Sequence, residues 1–154
     1  MMAIADPGIL FAVVRGDNLD LPLFVHVLGA MALAGAAATG IVTALLEDGS
    51  VAAWSRRLSL RILLFAALPA FVVMRVGAEW IRIEEFPSGP APGWVEIGYV
   101  TAEGGLVFLI VAIVLAWRAA RRDRPRMAKA AAIVASVALI AWIITAWAMT
   151  AKPG

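Results

Sequence analysis

Five polar side chains fall inside long apolar stretches of this chain: His26, Arg75, Glu79, Tyr99 and Glu103. Arg75 and Glu79 are four residues apart, as are Tyr99 and Glu103, so each pair shares one face of a helix. Ionisable groups at membrane depth are costly unless paired or wet, which makes them functional candidates. With a rise of about 1.5 Å per residue, Arg75 and Glu103 fall roughly 6–7 and 4–5 Å from the bilayer centre, toward the same surface. His26, Glu79 and Tyr99 fall about 10–13 Å from the centre on that side. The expectation is two polar layers, Arg75 with Glu103 in the deeper one and His26, Glu79 and Tyr99 above.

The chemistry open to these groups is narrow. His26 with Glu79 and Glu103 offers nitrogen and oxygen ligands of the kind that hold Zn²⁺. Haem between two axial histidines of one chain is excluded, because His26 is the only histidine. A single axial ligand, or one from each of two chains, stays open. Met31 is a soft group, but it lies more than a turn from His26, a poor start for a copper site. No nucleophile-and-base spacing, phosphate-binding loop or catalytic carboxylate motif is present, and Gly104-Gly105 reads as helix packing. No catalytic residue and no metal set is therefore assigned, and His26 is the one candidate cofactor ligand.

Each residue also has a structural account. Arg75 can pair with Glu103 and lock two helices together, or extend outward along its apolar stem. Glu79 and Arg82 lie near enough to the interface to be solvated, and Tyr99 is an ordinary interface residue. A lone histidine near a helix end is more often a hydrogen-bonded packing group than a ligand.

The elements that position these groups are membrane helices. Of 154 residues, 63% are hydrophobic and 16% charged, with a mean hydropathy of +0.92. Soluble domains run at roughly 45–50% apolar and about 25% charged. That balance excludes a soluble enzyme, a nucleic-acid-binding module and a disordered regulator, and makes the lipid bilayer the first partner. There are no cysteines, so disulfides and thiolate chemistry are absent. Four stretches reach the length of a span: residues 21–46, 58–83, 95–117 and 128–150. None shows the alternation of a membrane barrel strand. The fold class is all-α, a single integral membrane four-helix bundle over residues 1–154.

Basic residues orient the bundle. Arg56 and Arg57 follow the first span, and Arg118, Arg121, Arg122, Arg124, Arg126 and Lys129 surround the last link. Opposite them stand Arg15 and Lys152, Arg82 at a helix edge, and the acids Asp6, Asp17, Asp20, Glu84, Glu85 and Glu96. Both basic links are expected in the cytoplasm and both termini on the periplasmic or extracellular side. Trp54 and Trp117 suit the inner interface, and Trp80, Phe86 and Trp94 the outer one. Asp20 is expected to cap the first span, with Pro22 in its first turn. The apolar stretch Gly8–Val14 reads as a short helix on the outer surface, and Phe86–Trp94 as a stiff loop. Eleven arginines against two lysines are associated with high-GC bacteria, so the expected location is a bacterial inner membrane.

Small residues mark packing faces: Ala32, Ala36 and Gly40 in the first span, and Ala131, Ala135 and Ala138 in the fourth. They serve tight packing within the bundle or docking of another membrane subunit or a second copy. Pro69 in the second span cannot donate to the helix and displaces the Phe65 carbonyl, so a kink is expected there.

The segment Leu23–Gly35, LFVHVLGAMALAG, resembles the first helix of small bacterial copper-resistance D-like and protoporphyrinogen-oxidase-like membrane proteins. Their Trp-x-Gly after the histidine is replaced here by Ala32-Leu33-Ala34-Gly35. Trp94–Glu103, WVEIGYVTAE, resembles small actinobacterial membrane proteins and implies no activity. The expected function is a non-catalytic accessory or scaffold subunit of a larger membrane complex, with no cofactor. The alternative is an outward-opening protein that binds haem, a metal or a small solute through His26, Glu79 and Glu103.

Overall fold

The computed structural model describes residues 17–46, 51–87 and 92–151. Four of its helices are long and apolar enough to cross a membrane: α1 (Asp20–Leu45), α2 (Ala52–Glu85), α3 (Gly93–Arg122) and α4 (Pro125–Ala151). Its described residues are helical and carry four candidate spans, the mark of a multi-pass membrane protein. The helices run up and down in a ring, α1 beside α2 and α4, and α3 beside α4 and the first half of α2. One end of the bundle carries most of the arginines and is called the basic end; the other, with Asp20, Glu84, Glu85 and Glu96, is the acidic end.

Two helices outrun their apolar cores. α2 has 34 residues and α3 has 30, so at about 1.5 Å per residue each exceeds a hydrocarbon layer of about 30 Å. The span expected from Leu58 begins instead at Ala52, because nothing in Trp54-Ser55-Arg56-Arg57 breaks a helix once Arg57 is exposed and Arg56 has a carboxylate partner. α3 likewise continues through Arg122, leaving Asp123 and Arg124 as the whole link to α4. Most basic residues of the expected link thus stand on helical turns.

Asp123 takes a left-handed conformation (φ 50°) and its N–H donates to the Ala119 carbonyl, closing the helix. An acidic residue tolerates this region better than most, since its short polar side chain bonds locally. Its carboxylate pairs with the buried guanidinium of Arg56 and ties the link to α2.

α1 begins differently from expectation. Asp20 lies in the first helical turn rather than at the cap, which is Leu19, after a 3₁₀ turn at Asp17–Leu19. Asn18 instead donates to Glu84 at 3.2 Å, joining the start of α1 to the end of α2. The expected N-terminal surface helix and the middle of the Phe86–Trp94 loop lie outside the described residues. At the ends of that loop, the Phe86 and Trp94 rings meet edge-on at 6.3 Å.

The irregularity around Pro69 takes a specific form. Leu63–Ala67 is a π-helical turn, in which the Leu68 N–H reaches back five residues to the Leu63 carbonyl. The extra residue in the turn accommodates the missing donor of proline. Leu63, fully buried, seats its side chain against Gly40 of α1.

The packing face of α1 is Gly29, Leu33, Ala37, Gly40 and Ala44, one residue round from the expected Ala32, Ala36 and Gly40. Ala32 is exposed and Ala36 only partly covered. α1 is apolar all round, so periodicity does not single out a buried face; the close approach permitted by Gly29 and Gly40 does. In α4, Ala131, Ala135 and Ala138 are wholly covered by the chain's own helices. Toward the basic end, Ser59 donates to the Gly40 carbonyl at 2.8 Å and Ser55 to that of Thr43, hydrogen-bonding α2 directly to the α1 backbone.

Candidate functional site

The site begins where α1 and α2 cross. A Cβ on Gly29 would come within 2.4 Å of the Met74 amide nitrogen, and one on Gly77 within 2.6 Å of that of His26. Glycine at both places lets the two backbones touch. At this crossing His26 Nδ1 lies 3.0 Å from the Met74 carbonyl oxygen. A carbonyl only accepts, so the partner places the ring proton on Nδ1. In the neutral imidazole Nε2 then keeps its lone pair.

The remaining four candidates form one network between α2 and α3. Arg75 Nε donates to Glu103 at 3.1 Å and Arg75 Nη1 to Glu79 at 2.8 Å. The Tyr99 hydroxyl donates to Glu79 at 2.7 Å, and the Arg75 guanidinium lies over the Tyr99 ring at 4.3 Å. Arg82 adds two further bonds to Glu79, at 2.8 and 2.5 Å. The two expected layers are thus one cluster, joined through Arg75, with Glu79 receiving both arginines and the tyrosine. His26 stands apart from it, bonded to the α2 backbone.

The cluster sits where α2 and α3 separate. α3 packs along the first half of α2, but past Leu68 the two backbones diverge. Long side chains bridge that opening. Two carboxylates and two guanidiniums balance in charge, which suits a setting where an unmatched ion would be expensive.

On the inner side of this bridge lies a cavity of about 440 Å³. It falls in the range of small-molecule sites, about 300–1,000 Å³. Its back wall comes from buried or half-buried residues of α2 and α3, among them Met74, Arg75, Tyr99 and Ala102. Leu33 and Trp142 are the buried residues beneath it. Its other lining residues, on α1 and α4, include Met31, 70% exposed, and Ile143, 60% exposed. The mouth therefore lies between α1 and α4, on the lateral face of the bundle. Among the described residues the lining is apolar save for His26, Arg75, Tyr99, Thr145 and Thr150. A separate groove of about 380 Å³ lies toward the acidic end, lined by Arg82, Val95, Glu96, Tyr99 and Val100. Tyr99 lines both spaces, so the polar cluster separates them.

Trp142 shapes the cavity floor. Its indole N–H points at the Ala102 carbonyl at 3.4 Å, its ring lies 6.2 Å from Phe71, and Gly105 leaves room for it. Sequence reasoning passed over this residue, although a tryptophan in mid-span, away from both interfaces, is a usable signal. Arg82, read from the sequence as a solvated interface residue, stands three residues after Glu79 and so shares its face, and it bonds to Glu79 instead.

Among the described residues no three of His, Asp or Glu gather closely enough to hold a metal ion. Glu79 and Glu103 are drawn together by Arg75 and do not share a ligand set with His26. Compared with protein-family models, curated proteins and solved structures, the chain matches none.

Proposed function

We propose that this protein binds a lipid-soluble small molecule within the membrane, in the cavity between its four helices. The observation that carries the reading is the cavity itself: apolar, open on the lateral face between Met31 and Ile143, and lined by the polar side chains of His26, Arg75 and Tyr99. A ligand dissolved in the bilayer reaches such a mouth without crossing water. The location we propose is a bacterial inner membrane, with the basic end in the cytoplasm and the acidic end outside. The support is the sorting of most arginines to one end and most acids to the other.

The test is to fill the cavity. Ala30 lines it and is only partly covered, so Ala30→Phe is expected to leave the melting temperature in detergent within a few degrees of the parent. Native mass spectrometry from nanodiscs should show a small molecule of discrete mass on the parent and none on the variant. An identical ligand load on both would overturn the reading. An absorbance spectrum of the same sample tests haem through His26: a Soret band lost in His26→Ala would identify it.

A second reading, an accessory subunit of a larger membrane complex, is favoured by one observation. A Cβ added to Gly35 of α1 would meet no described atom within 4 Å, and Ala34 beside it and Ala38 one turn on are exposed. Small uncovered residues are where another helix can approach closely. Crosslinking from a cysteine at Gly35 in intact membranes distinguishes a partner from bare lipid.

A further inference from the structure

We infer that the cavity selects a ligand with an uncharged polar head, a hydroxyl on an apolar body, read by His26 and Arg75 together. The inference rests on the cavity being a ligand site and adds the chemistry of what enters it. Nearly every polar group on the wall is already engaged. Thr145 bonds to Thr101 and to the Ala141 carbonyl, Thr150 to the carbonyls of Ala146 and Trp147, and the Tyr99 hydroxyl donates to Glu79. The indole N–H of Trp142 is directed at Ala102.

With their protons spent, those hydroxyls can only accept, and two further capacities stand on the wall. The bond from Nδ1 to Met74 leaves Nε2 of the neutral His26 ring as an acceptor. Arg75 uses Nε and Nη1 on its two carboxylates, and its other guanidinium N–H groups remain as donors. An acceptor and a donor on the wall of an apolar cavity match a hydroxyl head, which both donates and accepts, whereas a carbonyl could use only the arginine.

Charge decides against an ionic head. Among the described residues Arg75 is the sole charged group on the cavity wall, and Glu79 and Glu103 already neutralise it. An anionic head would compete with those carboxylates for the same guanidinium and leave one of them unmatched. A cationic head would meet the arginine itself. Either adds an uncompensated charge in a medium of low dielectric.

The test uses four probes that share a 9,10-dibromooctadecyl chain and differ only in the head: the alcohol, the sulfate, the trimethylammonium salt and the headless dibromooctadecane. Bromine quenches tryptophan on contact, and Trp142 forms the cavity floor. Quenching of the full chain in neutral detergent, less that of Trp142→Phe, isolates the signal from the cavity. The alcohol is expected to bind at least tenfold more tightly than the sulfate or the ammonium, and several-fold more tightly than the headless chain. His26→Phe, which keeps a planar ring, is somewhat larger and loses both nitrogens, should bring the alcohol down to the headless value measured on the same variant. If the sulfate or ammonium binds as tightly as the alcohol, the head assignment is overturned while the cavity remains a ligand site. If no probe gives saturable quenching at Trp142, the binding reading itself fails. The comparison of the four heads on the parent protein stands even if His26→Phe does not fold.

Discussion

Gly77 of α2 lies directly against the backbone of His26 on α1, so near that a Cβ there would come within 2.6 Å of the His26 amide nitrogen. Three residues earlier on α2, Met74 touches Gly29 in the reciprocal sense and accepts the His26 ring hydrogen bond. Backbone contact and ring orientation are therefore one feature. The closeness permitted by two glycines brings a carbonyl within reach of an imidazole on the neighbouring helix.

Gly77→Ala and Gly29→Ala are each expected to destabilise the bundle, since the atom that must give way is backbone rather than a flexible side chain. Overpacking of this kind costs about 1–3 kcal/mol. Gly35→Ala is the control: open space surrounds it, and alanine is favoured over glycine in a helix by roughly 0.5–1 kcal/mol. Thermal melts followed by circular dichroism in detergent should show the first two falling and the third unchanged or rising. Equal behaviour of all three would remove the close crossing.

Arg75 and Glu103 should be coupled. Glu103→Leu leaves Arg75 with Glu79 and the Tyr99 ring, so its effect is the milder single change. Arg75→Leu strands Glu103 and removes one of the two arginines from Glu79, which keeps Arg82 and Tyr99, and it is the more severe. A double-mutant cycle should give an interaction of order 1 kcal/mol, within the roughly 0.5–3 kcal/mol seen for residues in one network, a range lowered here by the 54% exposure of the Glu103 side chain. Strict additivity of the two losses would show that the pair does not interact.

At the basic end, Asp123 serves Arg56 and also occupies a left-handed turn. Asp123→Asn keeps a residue suited to that backbone and loses the charge, so it tests the ion pair alone. Asp123→Ala loses both, and left-handed backbone costs an ordinary residue about 1–2 kcal/mol. The expected order of melting temperatures is parent, then Asn, then Ala. Alanine matching asparagine would mean the turn conformation contributes nothing.

The orientation is open to a direct measurement, because the chain has no cysteine of its own. A membrane-impermeant maleimide should label Glu85→Cys in intact cells and Arg124→Cys only after permeabilisation. The reverse pattern would place the arginines outside.

How much of this was legible in the chain depends on the kind of physics involved. Hydrophobicity adds along a sequence, so four apolar runs announce four helices, and the bundle class follows without any tertiary information. Depth along a span is also a local quantity, which is why Arg75 and Glu103 could be matched from their positions alone. Rotation of each helix about its axis is not local. In lipid both faces of α1 are apolar, so the choice of Leu33 and Ala37 over Ala32 and Ala36 as the buried face was made by the fit of Gly29 and Gly40 against α2. The same rotation turned His26 to the Met74 carbonyl instead of Glu79. Divergence of α2 from α3 past the π-helical turn is likewise a property of packed helices, and it opens the space that Arg75, Glu79, Arg82 and Tyr99 bridge. The cavity exists only because four separate helices leave that volume unfilled, and no single stretch of sequence contains it.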